Sequence, residues 1–214
     1  MSHNDASNTN TRPVAFFDFD GTLTTGDTLM PFLKFVVGTP TYYAKLALVS
    51  PVLAAYFAKL LRNDIAKQIV LKQYLAGYHI DDLFERGQRF SEEVIPAMLR
   101  PEGMERLRWH QQQGHACVLI SASLDLYLSP WASRYGFDAL FSSQLATRRD
   151  GRASGALQGA NCHGATKRVK LMQYLAGRNA QCTFGYGDST GDDAMLGATD
   201  NGYRWNGKRF AAVS

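Results

Sequence analysis

Three short apolar runs, each followed directly by polar residues, limit the possible folds of this chain more than any other feature of its sequence. The runs are VAFF over residues 14–17, ACVLIS over residues 116–121 and QCTFGYG over residues 181–187. An apolar run without alternation is typical of a strand buried on both faces of a parallel sheet. Helical patterns separate the later strands, so the sequence predicts an α/β fold with a doubly wound, mainly parallel sheet.

A long helical stretch interrupts this α/β pattern. From Asp27 to Arg100 the apolar residues repeat with helical spacing, and almost no strand pattern occurs. The breaks between the helices fall at Gly38, Pro40, Asn63, Gly77 and Pro101. We therefore expect an α/β core formed by residues 13–26 and 101–214, with an all-helical insertion over residues 27–100. Residues 1–12 are polar and lack the apolar region of a signal peptide, so we expect a disordered tail there.

The composition argues against several classes of protein. The chain carries a net charge of +4, but its basic residues are scattered and no nucleic-acid-binding motif accompanies them. No nucleic-acid partner is therefore expected. Cys117, Cys162 and Cys182 stand apart, without the spacing of a disulfide framework or a zinc site, which favours a reducing, cytoplasmic location.

The longest uncharged apolar stretch covers residues 46–58. It contains Pro51 and is thirteen residues long, whereas a membrane-spanning helix needs about 20. Two interpretations stay open, namely helices that pack on one another, which the pattern favours, and contact with a membrane surface. Under the first, the core of the helical insertion includes Tyr42, Tyr43, Tyr56, Phe57 and Tyr74.

Polar side chains follow each of the three apolar runs, and ligands in doubly wound sheets bind beyond the carboxyl ends of the strands. The residues that this rule brings to one edge of the sheet are Asp18, Asp20, Ser121, Ala122, Ser123, Asp188 and Asp192, with Lys167 near the start of an intervening helix. Several carboxylates at close range disfavour ionisation unless a cation neutralises them. An all-oxygen cluster suits Mg²⁺, which shares its coordination with water and phosphate. The pattern therefore indicates phosphoryl chemistry.

These motifs carry a resemblance to a known family. DFDGT at residues 18–22 is preceded by FF, LISAS covers residues 119–123, GDSTGDD covers residues 187–193, and Lys167 lies between the last two. In this order, with a helical insertion after the first, they resemble the four motifs of the haloacid dehalogenase-like superfamily. The match covers residues 13–206 and is closest to the phosphoserine-phosphatase-like subfamily, whose insertion is a C1 helical cap on a Rossmann-like core.

The resemblance implies a role for each acidic motif residue. Asp18 would be the nucleophile that forms an aspartyl-phosphate, which water then hydrolyses. Asp20 would be the general acid and base, and its main-chain carbonyl would bind Mg²⁺. Asp18 and Asp188 would complete the metal ligands of the protein, while Asp192 would support the waters of the metal and Lys167.

The same resemblance implies how phosphate is held. Ser121, the main-chain N–H of Ala122 and neighbouring N–H groups would bind its oxygens. Lys167 would offset the negative charge of both the nucleophile and the phosphoryl group. This agrees with elementary electrostatics, because a carboxylate cannot approach a phosphate dianion unless cations screen both.

The substrate is less constrained than the chemistry. The resemblance implies a Mg²⁺-dependent phosphatase for a small phosphomonoester such as phosphoserine or histidinol phosphate. The alternatives are a lipid phosphate phosphatase of the phosphatidylglycerophosphate type and a non-catalytic protein that binds a phosphorylated ligand. Two departures argue against phosphoserine itself: SAS stands where that subfamily has Ser-Gly-Gly, and Gly191 stands where Asn is usual.

Several single residues have two interpretations. Asp27 either caps the first inserted helix or selects an amine-bearing substrate, since the matching residue in phosphoserine phosphatases is a glutamate that binds the substrate's ammonium group. Ser123 and Thr190 are either helix caps or phosphate ligands. His163 is expected to be a loop residue rather than a ligand. His79 and His110 are expected on helix surfaces.

Overall fold

The computed structural model describes residues 11–213. Of the tail predicted over residues 1–12, residues 1–10 lie outside this described part. The two remaining residues are held against the core. The Arg12 guanidinium pairs with Asp138, and the Thr11 carbonyl accepts a hydrogen bond of 3.3 Å from the N–H of Gln181.

The main sheet has the α/β architecture that the sequence predicts. Its strands, together with those of a separate hairpin, are β1 (Val14–Phe17), β2 (Ala116–Leu124), β3 (Ala139–Ser143), β4 (Leu145–Thr147), β5 (Ala153–Leu157), β6 (Thr183–Gly187), β7 (Asn201–Trp205) and β8 (Phe210–Ala212). Six of them form the sheet in the order β3-β2-β1-β6-β7-β8, and every neighbouring pair is parallel except β7 with β8. The doubly wound, mainly parallel sheet is thus confirmed.

The helices lie between these strands in the chain. They are α1 (Leu29–Val37), α2 (Thr39–Phe57), α3 (Asn63–Leu75), α4 (Ile80–Glu93), α5 (Pro101–Gln112), α6 (Asp125–Arg134), α7 (Ala165–Leu175) and α8 (Asp193–Leu196). Short 3₁₀ turns cover Ile95–Met98 and Thr190–Asp192. No helix within residues 11–213 combines the length and the apolar content that crossing a bilayer requires.

Strand β1 is buried on both faces of the sheet, which explains why its sequence is apolar without alternation. Val14 and Phe16 belong to one hydrophobic cluster, which also contains Leu171 of α7. Phe17, on the opposite face, belongs to a second cluster that contains Leu107 of α5. The alternation of side chains along the strand therefore fixes β1 between two helical layers.

The inserted helices α1–α4 are fastened to the rest of the chain at two close approaches. Helix α4 meets the start of α6 so closely that a Cβ on Gly87 would collide with the carbonyl of Leu126. The β4–β5 hairpin lies against α3, where a Cβ on Gly155 would collide with the main chain of Lys72. The division into core and cap domains stays a prediction, although these contacts explain how the helices are held over the sheet.

Some expectations about single residues are wrong. His110 is buried rather than on a helix surface, because its ring packs beside Tyr186 and its Nε2 lies 3.0 Å from the Tyr186 hydroxyl. Tyr43 and Phe57 are exposed rather than in the core of the insertion, because α2 buries only Val49. Strand β8 is not predicted from the sequence, since three residues are too few to show a periodic pattern.

Candidate active site

The carboxyl ends of β2, β1 and β6 are neighbours, because these strands are adjacent and parallel. The helices that precede these two neighbours of β1 pack on opposite faces of the sheet, α5 before β2 and α7 before β6. Ligands bind at such a switch point in folds of this kind. A cavity of about 410 Å³ opens at this edge. It is lined by all but one of the predicted site residues: Asp18, Asp20, Asp27, Ser121, Ala122, Lys167 and Asp188. The exception, Asp192, is buried.

Lys167 bridges two of the carboxylates. Its Nζ lies 2.5 Å from Asp18 Oδ1 and 2.5 Å from Asp192 Oδ1, and all three side chains are almost fully buried. Burial alone acts to lower the pKa of Lys167, but the charges of Asp18 and Asp192 outweigh it and the pKa is raised. The lysine therefore stays protonated, as a group that screens the charge of a nucleophile must.

Asp18 and Asp192 differ in their surroundings. Burial raises the pKa of Asp18 to about 8, against the opposing effect of the Lys167 ammonium. Burial acts on Asp192 in the same direction, but Lys167 and the hydrogen bonds to Asp192 outweigh it and lower its pKa. Those bonds come to Oδ2 from the N–H groups of Asp188 and Ser189, at 3.1 Å each, and from the Ser189 hydroxyl at 3.2 Å. Both oxygens of Asp192 are thus engaged, which suits a supporting residue.

Asp188 lines the same cavity as Asp18, and a carboxylate oxygen of each lies within 4.8 Å of the other. The pKa of Asp188 is raised by burial and by the charge of Asp192. A Cβ at position 21 would collide with the Asp188 carboxylate, and Gly21 has φ +75°. Glycine is therefore required after Asp20 both for the left-handed backbone and for the close approach of the carboxylate.

The residues at this edge fit a divalent cation. Ligand atoms of Asp18, Asp188 and Asp192 lie within 4.8 Å of one another. Two of these carboxyls have raised pKa values, as expected where negative groups are buried with too little positive charge around them. An oxygen-only set with one partly exposed carboxylate suits Mg²⁺, which retains some of its waters.

The Asp20 carboxylate points away from this cluster. Its Oδ1 accepts hydrogen bonds from the N–H of Thr28 at 2.9 Å and from the Thr28 hydroxyl at 2.6 Å, and its Oδ2 accepts one from the Ser123 hydroxyl. The Thr28 hydroxyl lies 3.1 Å from that of Tyr127. Burial and the charge of Asp27 raise the pKa of Asp20 to about 6, against the effect of the hydroxyl groups. Asp20 can therefore carry a proton near neutral pH, as a general acid must.

The carboxyl-terminal part of β2 lines the first cavity with Ser121 and Ala122. Ser121 is buried, and its Oγ accepts a hydrogen bond of 3.1 Å from the N–H of Ser123, which leaves its hydroxyl hydrogen to donate. The Ala122 carbonyl accepts a hydrogen bond from Lys67 of α3. Lys67 also donates to Asn161 Oδ1 at 3.1 Å. An inserted helix thus holds the carboxyl-terminal part of β2 at its main chain.

A second cavity, of about 360 Å³, adjoins the first beneath the inserted helices. Both are lined by Asp20, Asp27, Tyr56, Ala122 and His163. The second cavity is otherwise mainly apolar, with walls from Leu29, Met30, Leu53, Phe57, Ala66 and Val70, and polar groups from Asn63, Lys67 and Ser123. A leaving group bound at the first cavity would therefore extend over an apolar surface.

Asp27 keeps both of its interpretations. Its Oδ2 accepts a hydrogen bond of 3.2 Å from the N–H of Met30, which is a cap of helix α1. It also lines both cavities, and its side chain is exposed to solvent there. Its charge can therefore face a ligand while one oxygen caps the helix.

His163 has a position that the sequence does not predict. Its ring covers Gly191 so closely that a Cβ at position 191 would collide with it. The departure from Asn at position 191 is thus accompanied by an imidazole that fills the space of the missing side chain. Burial lowers the pKa of His163, so the ring is neutral near pH 7 and can both donate and accept a hydrogen bond.

Sequence reasoning missed four more residues at the site. Thr28 and Tyr127 surround Asp20, Lys67 holds Ala122, and Arg100 lines the first cavity with its Nε 3.2 Å from the Gly21 carbonyl. None of them belongs to a motif at a strand end. Ser123, which had two interpretations, serves neither as a helix cap nor as a group free for phosphate, since it donates to Asp20.

Two curated proteins illustrate what the chain resembles in sequence. Protein CicA of Caulobacter vibrioides is 35% identical over 189 residues, which cover 88% of this chain and 84% of that protein. A histidinol-phosphatase of Neisseria meningitidis serogroup C is 28% identical over 127 residues, or 57% of each chain.

Solved structures agree in fold. A protein with unknown function from Bordetella pertussis Tohama I is 25% identical and superimposes with a TM-score of 0.77, covering 91% of this chain and 89% of that one. A substrate-bound phosphoserine phosphatase is 17% identical, with a TM-score of 0.64 over 91% of this chain and 84% of its own. At that identity the likeness concerns the fold alone.

The family model described as haloacid dehalogenase-like hydrolase matches residues 15–197. This span contains the sheet edge with Asp18, Ser121, Lys167 and Asp188, as well as the inserted helices. The chain therefore belongs to the haloacid dehalogenase-like hydrolase family.

Proposed function

We propose that the chain is a Mg²⁺-dependent phosphatase that hydrolyses a small phosphomonoester through an aspartyl-phosphate on Asp18. One observation carries this proposal: a buried carboxylate lies in contact with a buried lysine and within 4.8 Å of two further carboxylates, at the mouth of a 410 Å³ cavity. This arrangement supports Asp18 as a nucleophile whose negative charge is screened by Lys167. The names of the Neisseria relative and of the phosphoserine phosphatase structure are consistent with it.

In the first half-reaction, an oxygen of Asp18 attacks phosphorus while the bond from phosphorus to the leaving oxygen breaks. The proton of Asp20 passes to that leaving oxygen, and the alcohol departs. In the second half-reaction, water attacks phosphorus and gives its proton to Asp20. The bond between phosphorus and Asp18 then breaks, so that phosphate is released and both carboxyl groups return to their starting states.

The remaining residues hold the reacting groups. Lys167, the Ser121 hydroxyl and the N–H of Ala122 would bind the phosphoryl oxygens. The Asp18 and Asp188 carboxylates and the Asp20 carbonyl would hold Mg²⁺, while Asp192 would orient Lys167. When bound, the metal would supply positive charge that offsets the repulsion between the carboxylate and the phosphate.

The size and the apolar walls of the second cavity favour a substrate whose leaving group is small and partly apolar. Its volume of about 360 Å³ lies near the lower end of the range for small-molecule sites, about 300–1,000 Å³. Together with Asp27, this favours an amine-bearing phosphomonoester of the phosphoserine or histidinol phosphate kind, with histidinol phosphate better matched to the apolar wall. We propose that residues 27–100 form the cap domain that selects this substrate. Three free cysteines support a cytoplasmic location.

A lipid phosphate is the second candidate. Phe57 lines the second cavity and is also exposed at the protein surface, so an acyl chain could pass along it. The cavity, of about 360 Å³, is too small to enclose two acyl chains. We therefore favour a small phosphomonoester over a lipid phosphate as the substrate.

A phosphatase screen over a panel of soluble phosphomonoesters, with Mg²⁺ or with EDTA, tests the proposal. We expect phosphate release with Mg²⁺, loss of release in EDTA, and poor replacement by Ca²⁺, whose larger and looser coordination misplaces the reactants. Full activity of a metal-free preparation in EDTA would contradict the metal site. Release from a lipid phosphate alone would favour the second candidate.

A further inference from the structure

The outer face of helix α2 is apolar although it faces solvent. We define this face as Tyr43, Ala44, Ala47, Leu48, Ser50, Pro51, Ala54 and Phe57. These positions recur at helical spacing, and Ser50 and the Tyr43 hydroxyl are their only polar groups. A helix on the surface of a soluble protein normally places charged and polar residues on this side. In α2 the side turned to solvent is apolar as well as the inner side, and Val49 is the only buried residue of the helix.

The exposed side chains on and beside this face are large. Leu48 is 68% exposed, Phe57 is 77% exposed, and Leu60, just beyond the helix, is 82% exposed. Ile65 and Ile69 of α3 are exposed as well. Scattered apolar residues on a surface need no explanation, but a continuous apolar patch indicates an interaction site.

The charge around this face identifies the partner. Residues 28–63 contain Lys34, Lys45, Lys59 and Arg62 and no acidic residue. Arg62 pairs with Asp64, and Lys45 turns inward to donate to the Tyr74 carbonyl at 3.4 Å. Lys34, whose ammonium lies over the Tyr43 ring, and the exposed Lys59 remain as the charge beside the patch. A second copy of the chain would bring the same lysines face to face in a symmetric dimer. An anionic lipid surface, in contrast, is complementary to both the apolar face and the lysines.

The face is also continuous with the second cavity. Phe57 belongs to both, and its neighbours Leu53 and Tyr56 line the cavity wall. Docking of this face would bring the mouth of the cavity to the lipid surface.

We propose that the outer face of α2 docks on an anionic phospholipid surface, lying parallel to it with Leu48, Phe57 and Leu60 in the interfacial layer. A helix of 19 residues is about 28 Å long and can lie along the surface. Its apolar content does not suffice for it to cross a bilayer. The proposal goes beyond hydrolysis of a phosphomonoester and does not depend on the substrate.

Co-sedimentation with vesicles tests this proposal. We expect the wild type to sediment with vesicles of phosphatidylcholine and phosphatidylglycerol in equal parts, to bind phosphatidylcholine vesicles much more weakly, and to be released by high salt. The double variant Leu48→Glu/Leu60→Glu, whose residues line neither cavity, should bind the anionic vesicles at least about tenfold more weakly. The matched control Val169→Glu/Met172→Glu, which changes two exposed apolar residues of α7, should bind as the wild type does.

Melting temperatures of both double variants within a few degrees of the wild type would show that they fold. No sedimentation of the wild type with anionic vesicles, or equal binding by the wild type and the α2 variant, would overturn the proposal. So would a dimer of the wild type, seen by light scattering, that the α2 variant dissociates, because the face would then belong to a second copy. None of these results bears on phosphatase activity with soluble substrates, which is tested separately.

Discussion

At the scale of single residues, Asp18 and Asp20 show what the sequence can and cannot provide. Their position after a buried strand predicts two carboxylates at one sheet edge, and the structure has them there. The sequence does not predict that Asp20 turns toward Thr28 and Ser123, because Ser123 lies 103 residues away in the chain. A hydrogen bond of this kind depends on distances that only the packed fold sets. The different surroundings of the two carboxylates support their different proposed roles.

The prediction at this scale concerns Asp27. Because its side chain is exposed, an ion pair with a substrate amine should contribute about 0.2–1 kcal/mol, or up to about fivefold in binding. We expect Asp27→Asn to lower kcat/KM by about that factor for phosphoserine or histidinol phosphate and to leave p-nitrophenyl phosphate unchanged. Asparagine also caps helices, so the melting temperature should not change, whereas Asp27→Ala should lower it. Equal losses on both kinds of substrate would show that Asp27 acts only as a cap.

At the scale of elements, helix α3 links the inserted helices to the carboxyl end of β2, which we propose binds phosphate. Lys67 donates to the Ala122 carbonyl and to Asn161, while Asn161 donates to Asn63 Oδ1 at 3.0 Å. Burial lowers the pKa of Lys67 to about 8, although the charges of Asp20 and Asp27 oppose this. The helical pattern predicts that α3 exists, but not which of its lysines points inward. That choice depends on how the insertion rests on the sheet.

We predict that Lys67→Met lowers kcat/KM by at least about tenfold for every substrate, since a hydrogen bond from a charged donor contributes about 1.5–3 kcal/mol. If Lys67 positions the carboxyl-terminal part of β2, inhibition by inorganic phosphate should weaken as well, which a loss of stability alone would not cause. Lys72→Met, at an exposed position of the same helix, is the matched control and should change neither quantity. A loss confined to one leaving group would mean that Lys67 acts on the substrate directly and not by positioning Ala122.

At the scale of the whole molecule, the order of the elements follows from the sequence and the packing of surfaces does not. Apolar runs such as VAFF predict buried strands, and strand alternation with helices predicts the sheet. The exposed face of α2 is not predictable in this way, because an apolar helix looks the same in sequence whether it is covered or open. His110 of α5 is a second example, since only the assembled fold buries it against Tyr186 of β6.

The enclosure of His110 predicts how stability depends on pH. Burial lowers its pKa to about 4, aided by the charges of His115 and Arg106, and its ring also faces the Tyr186 hydroxyl. A folded-state pKa below the unfolded value of about 6.5 means that the unfolded chain binds more protons at acidic pH. His110 should therefore reduce the free energy of unfolding as pH falls from about 6.5 to 4, by about 2 to 3 kcal/mol in all.

Urea unfolding measured at a series of pH values, for the wild type and for His110→Gln, isolates this contribution from those of the carboxyl groups. The variant should show the smaller decline in this pH range. Identical pH profiles for the two proteins would contradict the assignment of a buried, neutral His110.

The most direct test of the central claim is to look for phosphate on Asp18. Wild-type enzyme is mixed with Mg²⁺ and a phosphomonoester that it hydrolyses, quenched in acid during turnover, digested and examined by mass spectrometry. We expect one phosphoryl group on the peptide that contains Asp18, removable by hydroxylamine, and neither this group nor turnover in Asp18→Asn. Turnover in Asp18→Asn within about tenfold of the wild type, a barrier difference of about 1.4 kcal/mol, with no phosphoryl group on that peptide in either protein, would contradict the account.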